Sequence, residues 1–304
     1  MKPLLKAAVI CSKGIGDGLM MMVASHRLQL EGYEVTTFQD SLYQLAPFFP
    51  GHHFEKRSSI VNLQKFSLIL LQNDNTPLSL EIIQTYRSQL SVFYSSYCKE
   101  KHSPLTSLDR VFDRSQTMVE NIATATASIL KAHESYKSNG IVIPSDLIHR
   151  KHRNRILIHP TSTSTQRTYT PSKFLKIATC LQKKGTEVVF CVSPQERSEW
   201  LSRVQNRFLV PEFYSLKELA TYVYESSFLI GNESGTGHLA SNLGIPTLII
   251  ASCPKQMALW RPGFLLGKVI TPSKYIPNFK GFRLRQNQWQ RCIPTQRILR
   301  EISL

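Results

Sequence analysis

The carboxylate that stands out in this chain is Asp17. It lies in Lys13-Gly14-Ile15-Gly16-Asp17-Gly18, directly after an apolar run, Ala7 to Cys11, that reads as a buried strand. Glycines after a first strand let the backbone turn tightly and approach a ligand at the N-terminus of the next helix. A carboxylate at that sheet edge can act as a general base toward an attacking hydroxyl. The same residue also fits an N-capping aspartate, a purely structural use. The run is not a Gly-x-Gly-x-x-Gly fingerprint, because Leu19 stands at the third glycine position. It is not a Walker phosphate loop either, since no Gly-Lys-Ser/Thr follows.

Three further constellations suit a phosphorylated ligand. In Gly231-Asn232-Glu233-Ser234-Gly235-Thr236-Gly237-His238-Leu239-Ala240 a strand gives way to a helix. Amides from Ser234 to Gly237, with the helix dipole, form a seat for a diphosphate. Glu233 precedes that seat and can accept from sugar hydroxyls, and His238 lies one turn further on; a tight turn and a packed histidine are the plainer readings. The second run is Thr161-Ser162-Thr163-Ser164-Thr165-Gln166-Arg167, whose hydroxyls and guanidinium suit phosphate oxygens, or simply solvent. The third is Ser252-Cys253-Pro254-Lys255 with Trp260-Arg261-Pro262-Gly263 behind it. All three follow strands, so they are expected on one edge of an open α/β sheet, where nucleotides bind.

The elements that must hold these residues alternate between strand and helix. After the strand at 7–11 come a glycine-rich turn from Ser12 to Gly18, a helix from Leu19 to Leu30 and strands at Glu34–Phe38, Phe66–Leu71 and Ser91–Tyr97. A long helix is expected from Ser115 to Ala132. The second set begins with a strand at Arg155–Pro160. A helix follows over Pro171–Lys184, capped by Thr170 and stopped by Gly185. Then come a strand at Glu187–Val192, a helix at Leu216–Glu225, a strand at Ser227–Gly231, a helix at Gly237–Leu243, a strand at Thr247–Ala251 and a terminal helix over Pro294–Leu304. Both halves read as α/β. The polar, basic stretch from Asn139 to Arg155, carrying Pro144, reads as the hinge, which divides the chain into domains 1–148 and 149–304.

Charge and composition narrow the partners. The chain of 304 residues carries 37 Lys and Arg against 21 Asp and Glu, a net charge of +16. Such an excess draws polyanions: nucleic acid, acidic lipid head groups or phosphorylated glycolipids. Basic clusters lie at His149–Arg155 and at Lys280–Arg285, but no zinc-finger spacing or RNA-recognition signature accompanies them. No apolar run is long enough to span a bilayer, and the N-terminus lacks a secretory signal, so a soluble, cytoplasmic protein is expected. Six scattered cysteines with no Cys-x-x-Cys pair read as reduced thiols.

At these residues the chain resembles glycosyltransferase family 9, the ADP-heptose:lipopolysaccharide heptosyltransferases. The resemblance is carried by Gly16-Asp17, by Glu233–Ala240 with Gly244-Ile245-Pro246 behind it, by Cys253-Pro254 with Trp260-Arg261-Pro262, and by the ending from Cys292-Ile293-Pro294 to Ile298. It runs nearly end to end. It implies a GT-B fold, two Rossmann-like domains facing each other across a cleft, with the acceptor on the N-terminal one and the nucleotide-sugar on the C-terminal one. It implies inverting, metal-independent transfer of a heptose-like sugar from an ADP-linked donor to a lipopolysaccharide-core or other glycan acceptor. Asp17 matches the family's proposed base, on an acceptor-side loop with Lys13, Gly14 and Gly16. Arg167 takes the place of a family lysine near the donor phosphates. Thr161, Ser162, Glu233, Ser234, Gly235, Thr236, Gly237 and His238 complete the donor side. No cofactor, metal or nucleic acid is expected. The partners are the nucleotide-sugar, a phosphorylated glycolipid and, peripherally, the anionic inner face of the plasma membrane. Two departures stand out: Glu233 replaces the family's usual Asp, and Met20-Met21-Met22 replaces a stretch that carries a Thr. They keep open a nucleotide-sugar-binding homologue without turnover. The charge keeps open a basic nucleic-acid-binding α/β protein.

Overall fold

The computed structural model describes residues 5–279 and 283–302. The chain divides into two compact units, 1–144 and 145–304.

The first unit is built on a six-stranded parallel sheet: β1 (Lys6–Ile10), β2 (Glu34–Phe38), β3 (His53–Glu55), β4 (Leu68–Gln72), β5 (Leu90–Tyr94) and β6 (Arg110–Val111). The spatial order is β3-β2-β1-β4-β5-β6. The chain reverses direction of travel across the sheet between β1 and β4, which makes the carboxyl ends of those two strands the natural ligand crevice. Residues Ala7–Ile10 and Ile69–Leu71 are fully buried, as expected for strands covered on both faces. Helices α1 (Ile15–Leu30), α2 (Pro77–Thr85) and α3 (Met118–Leu130) belong to this unit. β3, β6 and α2 carry too few patterned residues to be marked from sequence.

Here the structure corrects the glycine-rich turn. Helix α1 starts at Ile15, so only Ser12, Lys13 and Gly14 form the turn, and Gly14 is the N-cap. Gly18 serves packing rather than turning: a Cβ there would lie 3.0–3.2 Å from side-chain atoms of Gln39 and Leu42. Met20, Met21 and Met22 are all buried, so the run that departs from the family pattern fills the core. The expected hinge is also structured at both ends. Asn139 is buried and donates to the Leu19 carbonyl at 3.1 Å, and Val142 N–H donates to Phe48 O. His152–Arg155 belong to a strand.

The second unit carries a five-stranded parallel sheet: β7 (His152–His159), β8 (Glu187–Phe190), β9 (Ser226–Asn232), β10 (Thr247–Ile250) and β11 (Lys268–Ile270), in the order β11-β10-β9-β7-β8. Its switch point falls between β7 and β9. Helices α4 (Pro171–Gln182), α5 (Pro194–Val204), α6 (Leu216–Tyr224), α7 (Gly235–Asn242), α8 (Pro254–Trp260), α9 (Leu284–Asn287) and α10 (Thr295–Glu301) complete it. Thr170 stands at the N-cap of α4 without a side-chain cap bond, and Gly185 follows the helix at φ +85°, the left-handed conformation that glycine adopts freely. The basic His152–Arg155 run forms the outer half of β7. Its Arg155 pairs with Glu187 at 3.1 Å and lies over the Tyr222 ring. Of the second basic cluster, Lys280–Phe282 lie outside the described residues, as do Ser303 and Leu304 of the expected terminal helix. All six cysteines are unpaired thiols. Among the described residues no helix is long and apolar enough to cross a membrane.

Candidate active site

Asp17 occupies the third position of α1, not the N-cap. It is held from the neighbouring strand. Gln72, 4% exposed at the end of β4, donates its Nε2 to Asp17 Oδ1 at 2.6 Å and accepts the Ser12 amide at 3.1 Å. A second buried glutamine, Gln39, follows β2. It donates to the carbonyls of Lys13 and Gly14 at 3.0 and 3.4 Å and accepts the amides of Ser41 and Leu42. The two glutamines therefore sit on either side of β1 and fix the loop after it. Both were missed from sequence. For Gln72 the available signal is a polar residue closing an otherwise apolar strand; Gln39, which follows a strand holding Glu34, Thr36 and Thr37, has no such signal.

Burial pushes the Asp17 carboxyl above its ordinary value. The Gln72 hydrogen bond and its own amide pull it down, Asp74 pushes it up and Arg57 pulls it down; burial prevails. A carboxylate made more basic in this way is suited to proton abstraction. Beside this loop lies a cavity of about 650 Å³, whose lining includes Lys13, Asp40, Tyr43, Lys56, Arg57 and Thr76. The Arg57 side chain is 5% exposed and paired with Asp74 at 2.8 Å. Burial alone would raise the Asp74 carboxyl, but bonds from Ser79, Thr76 and Arg57 outweigh it and hold it low. That cavity carries two lysines against Asp40 on its wall, the Arg57 charge being matched by Asp74, so an anionic group suits it.

In the second unit, the loops after β7 and β9 meet. Asn232, fully buried at the end of β9, donates to the carbonyls of Pro160 and Thr161 at 2.7 and 3.5 Å and accepts the Tyr169 amide at 2.9 Å. The hydroxyl run is thus anchored at its two ends, while Thr163, Thr165 and Gln166 stay exposed. It is also braced by the C-terminal segment. Tyr169 Oη and Lys173 Nζ donate to Ile293 O, and Trp289 Nε1 donates to Gln166 O. Ser164 N-caps a single 3-10 turn, Thr165–Arg167, which turns Arg167 toward β9. Arg167 pairs with Glu233 at 3.4 Å and donates to Thr163 Oγ1. Thr161 donates to Glu196 on α5 at 3.1 Å, so its hydroxyl hydrogen is engaged within the unit.

Ser234 is the N-cap of α7. It takes the Gly237 amide, through its side-chain oxygen at 3.4 Å and its carbonyl at 3.1 Å, and its carbonyl accepts His238 N–H. This corrects the expectation of an open seat from Ser234 to Gly237: the Gly237 amide is spent on the cap. The Gly235 and Thr236 amides remain without partners among the described residues, as the first amides of a helix do. Gly237 lies against β10 and the loop after α8. A Cβ there would come within 3.0 Å of Ile249 Cδ1 and 3.7 Å of Pro262. That close approach, rather than the turn, is what favours glycine there. His238 is buried, with Nδ1 unpartnered, and burial pushes its imidazole down to about 4. It is neutral at physiological pH and offers hydrogen bonds, not charge. Ser162 Oγ is likewise buried without a partner. Among the described residues no group of three or more His, Cys, Asp or Glu side chains could hold a metal ion.

Comparisons with known proteins place the chain by family and fold. The family model of glycosyltransferase family 9 (heptosyltransferase) matches residues 100–261. E. coli ADP-heptose lps heptosyltransferase II superposes with a TM-score of 0.69 at 16% identity, over 98% of this chain and 97% of that one. E. coli heptosyltransferase WaaC with ADP gives 0.67 at 10% identity, over 97% and 98%. The iron-containing, dodecameric heptosyltransferase TibC in complex with ADP-D-beta-D-heptose gives 0.61 at 11% identity, over 98% of this chain and 75% of that one. No curated protein sequence matches the chain. These likenesses show the GT-B fold of heptosyltransferases. With more than half of its length matched by the family model, the chain belongs to glycosyltransferase family 9, and it is a glycosyltransferase.

Proposed function

We propose that this protein transfers a heptose-like sugar, with inversion, from an ADP-linked donor to a phosphorylated glycan or glycolipid acceptor. The observation that carries this reading is Asp17: a carboxylate raised by burial, at the switch point of the first sheet, held by one oxygen and beside a basic cavity. In the reaction an acceptor hydroxyl attacks the anomeric carbon. Its proton passes to Asp17, the new C–O bond forms, and the bond to the diphosphate oxygen breaks with both electrons leaving on the nucleotide. A hydroxyl attacking from the face opposite the leaving group inverts the centre. Lys13 and Lys56 attract the acceptor's anionic groups.

The second unit supplies the donor side. The Gly235 and Thr236 amides and the α7 dipole receive the diphosphate. Arg167 adds positive charge, with Glu233 orienting it and facing the sugar hydroxyls. His238 Nδ1 and Ser162 Oγ, both buried and unpartnered, gain partners from the ligand. In this reading the leaving group's charge is met by Arg167, amides and the helix dipole, with no divalent cation assigned a part. ADP-linked heptoses are the ligands named for WaaC, as the 2-deoxy-2-fluoro form, and for TibC.

A thermal-melting panel of ADP, UDP and GDP, each with EDTA and with Mg²⁺, tests it. ADP is expected to raise the melting temperature equally in both, because a ligand that binds only the folded state stabilises it. A shift with UDP or GDP in its place keeps sugar transfer and changes the donor. A shift only with Mg²⁺ overturns the metal-independent part. No shift with any nucleotide overturns the donor seat. Arg167→Ala is expected to weaken ADP binding by about 10- to 100-fold, the loss of charge-assisted hydrogen bonds worth ~1.5–3 kcal/mol. Titration calorimetry checks it, and unchanged affinity removes Arg167 from the site.

A further inference from the structure

We infer that Gln72 is a positioning residue that commits Asp17 to accepting its proton on Oδ2, and that Gly14 keeps that oxygen uncovered. This rests on the reading of Asp17 as the base. The orientation of the Gln72 amide follows from chemistry. The Ser12 main-chain N–H can only donate, so the Gln72 atom 3.1 Å from it is the oxygen. The other end, 2.6 Å from Asp17 Oδ1, is then the NH₂ group, which can only donate. Oδ1 is thereby held as an acceptor. A proton arriving on it would face an N–H and break the bond, so the proton goes to Oδ2.

Oδ2 is the oxygen nearest Gly14. A Cβ on residue 14 would stand 2.5 Å from it, closer than any carbon and oxygen pack, and the other two contacts that Cβ would make are also with Asp17. The backbone of residue 14, at φ −67° and ψ 141°, suits any amino acid. Glycine is therefore not demanded by the turn. What its missing side chain leaves is space beside one carboxylate oxygen. Gln39 completes the arrangement by holding the Lys13 and Gly14 carbonyls, so that the loop cannot slide over Asp17. Gln72 also moderates the base. Its hydrogen bond to the ionised form opposes the upward push of burial, so removing it moves Asp17 further up.

The test compares wild type with Gln72→Met, Gln72→Glu, Gly14→Ala and Asp17→Asn. Two readouts are used: ¹³C NMR titration of the Asp17 carboxyl, assigned by its absence in Asp17→Asn, and pH profiles of ADP release from ADP-heptose with lipopolysaccharide core as acceptor. Gln72→Met is expected to raise both the NMR midpoint and the acid limb of kcat. Turnover on that limb falls about tenfold for each pH unit moved, while the donor KM stays unchanged. Gln72→Glu, which sets a carboxylate against a carboxylate, moves both further in the same direction. Gly14→Ala lowers kcat at every pH with the melting temperature near that of wild type. An unmoved midpoint and limb in Gln72→Met, with a merely lower melting temperature, would reduce Gln72 to a structural part. Full turnover in Gly14→Ala would remove the Oδ2 assignment. If Asp17→Asn turns over normally, the base assignment itself fails, whatever the NMR midpoint of Gln72→Met does.

Discussion

Asp17→Asn is expected to lower turnover by about 10²- to 10⁴-fold, the usual contribution of a general base, and at the same time to raise the melting temperature. Both effects have one cause. The folded protein holds the Asp17 carboxyl above its ordinary value, chiefly by burial. The native state therefore binds a proton more readily than the unfolded chain does. Stability contributed by the protonated acid is fully present below the unfolded pKa and is lost as pH rises through the folded one. At neutral pH the ionised side chain is a net cost to folding, and an uncharged amide removes it. Asn still offers an oxygen to Gln72 Nε2. Thermal melts at pH 7 and pH 4 check the sign: the variant's advantage should be larger at pH 7. The wild-type kcat profile should lose activity on the acid side at a pH above the usual carboxylate range. A variant that is slow but less stable than wild type would mean that Asp17 acts as a structural anchor.

Asn232→Ala carries the other large effect, on the second unit. Asn232 is fully buried and joins three main-chain groups: the Pro160 and Thr161 carbonyls and the Tyr169 amide. Truncation leaves a buried N–H and a buried C=O without partners, which costs about 2–4 kcal/mol. The expected result, read from denaturant melts at unchanged m, is an unfolding free energy lower by that amount. Because the same bonds hold the start and end of the 161–169 loop, ADP affinity should fall too, although Asn232 need not touch the ligand. A loss of stability with wild-type nucleotide affinity would separate the loop from the donor seat.

The resemblance to family 9 was legible in short, local runs: Gly16-Asp17, Glu233–Ala240 and the Trp260-Arg261-Pro262 loop. So was the alternation of strands and helices in both halves, because a strand buried on both faces must be apolar throughout and a helix covering it must be amphipathic. Short strands such as β3, β6 and β11 hold two or three residues, too few to show a period. The first turn of α1 differs from the expected glycine-rich turn for a related reason. Its glycines serve packing and clearance in the helix, and a one-dimensional reading cannot tell such a glycine from one that turns the chain.

What the sequence by itself determined is the inventory: which carboxylate, arginine, amides and hydroxyls stand at strand ends. What only the tertiary structure decided is how each is held. Asp17 is oriented by Gln72, 55 positions away. The hydroxyl run is anchored by Asn232, 72 positions beyond Pro160, and braced through Tyr169 by Ile293, 124 positions on. The Gly237 amide turned out to be spent on the Ser234 cap, and Arg167 to be paired with Glu233. The physical reason is that a side chain's protonation state and direction depend on burial and on partners brought close by strand order. A parallel sheet sets side by side strand ends that lie far apart along the chain.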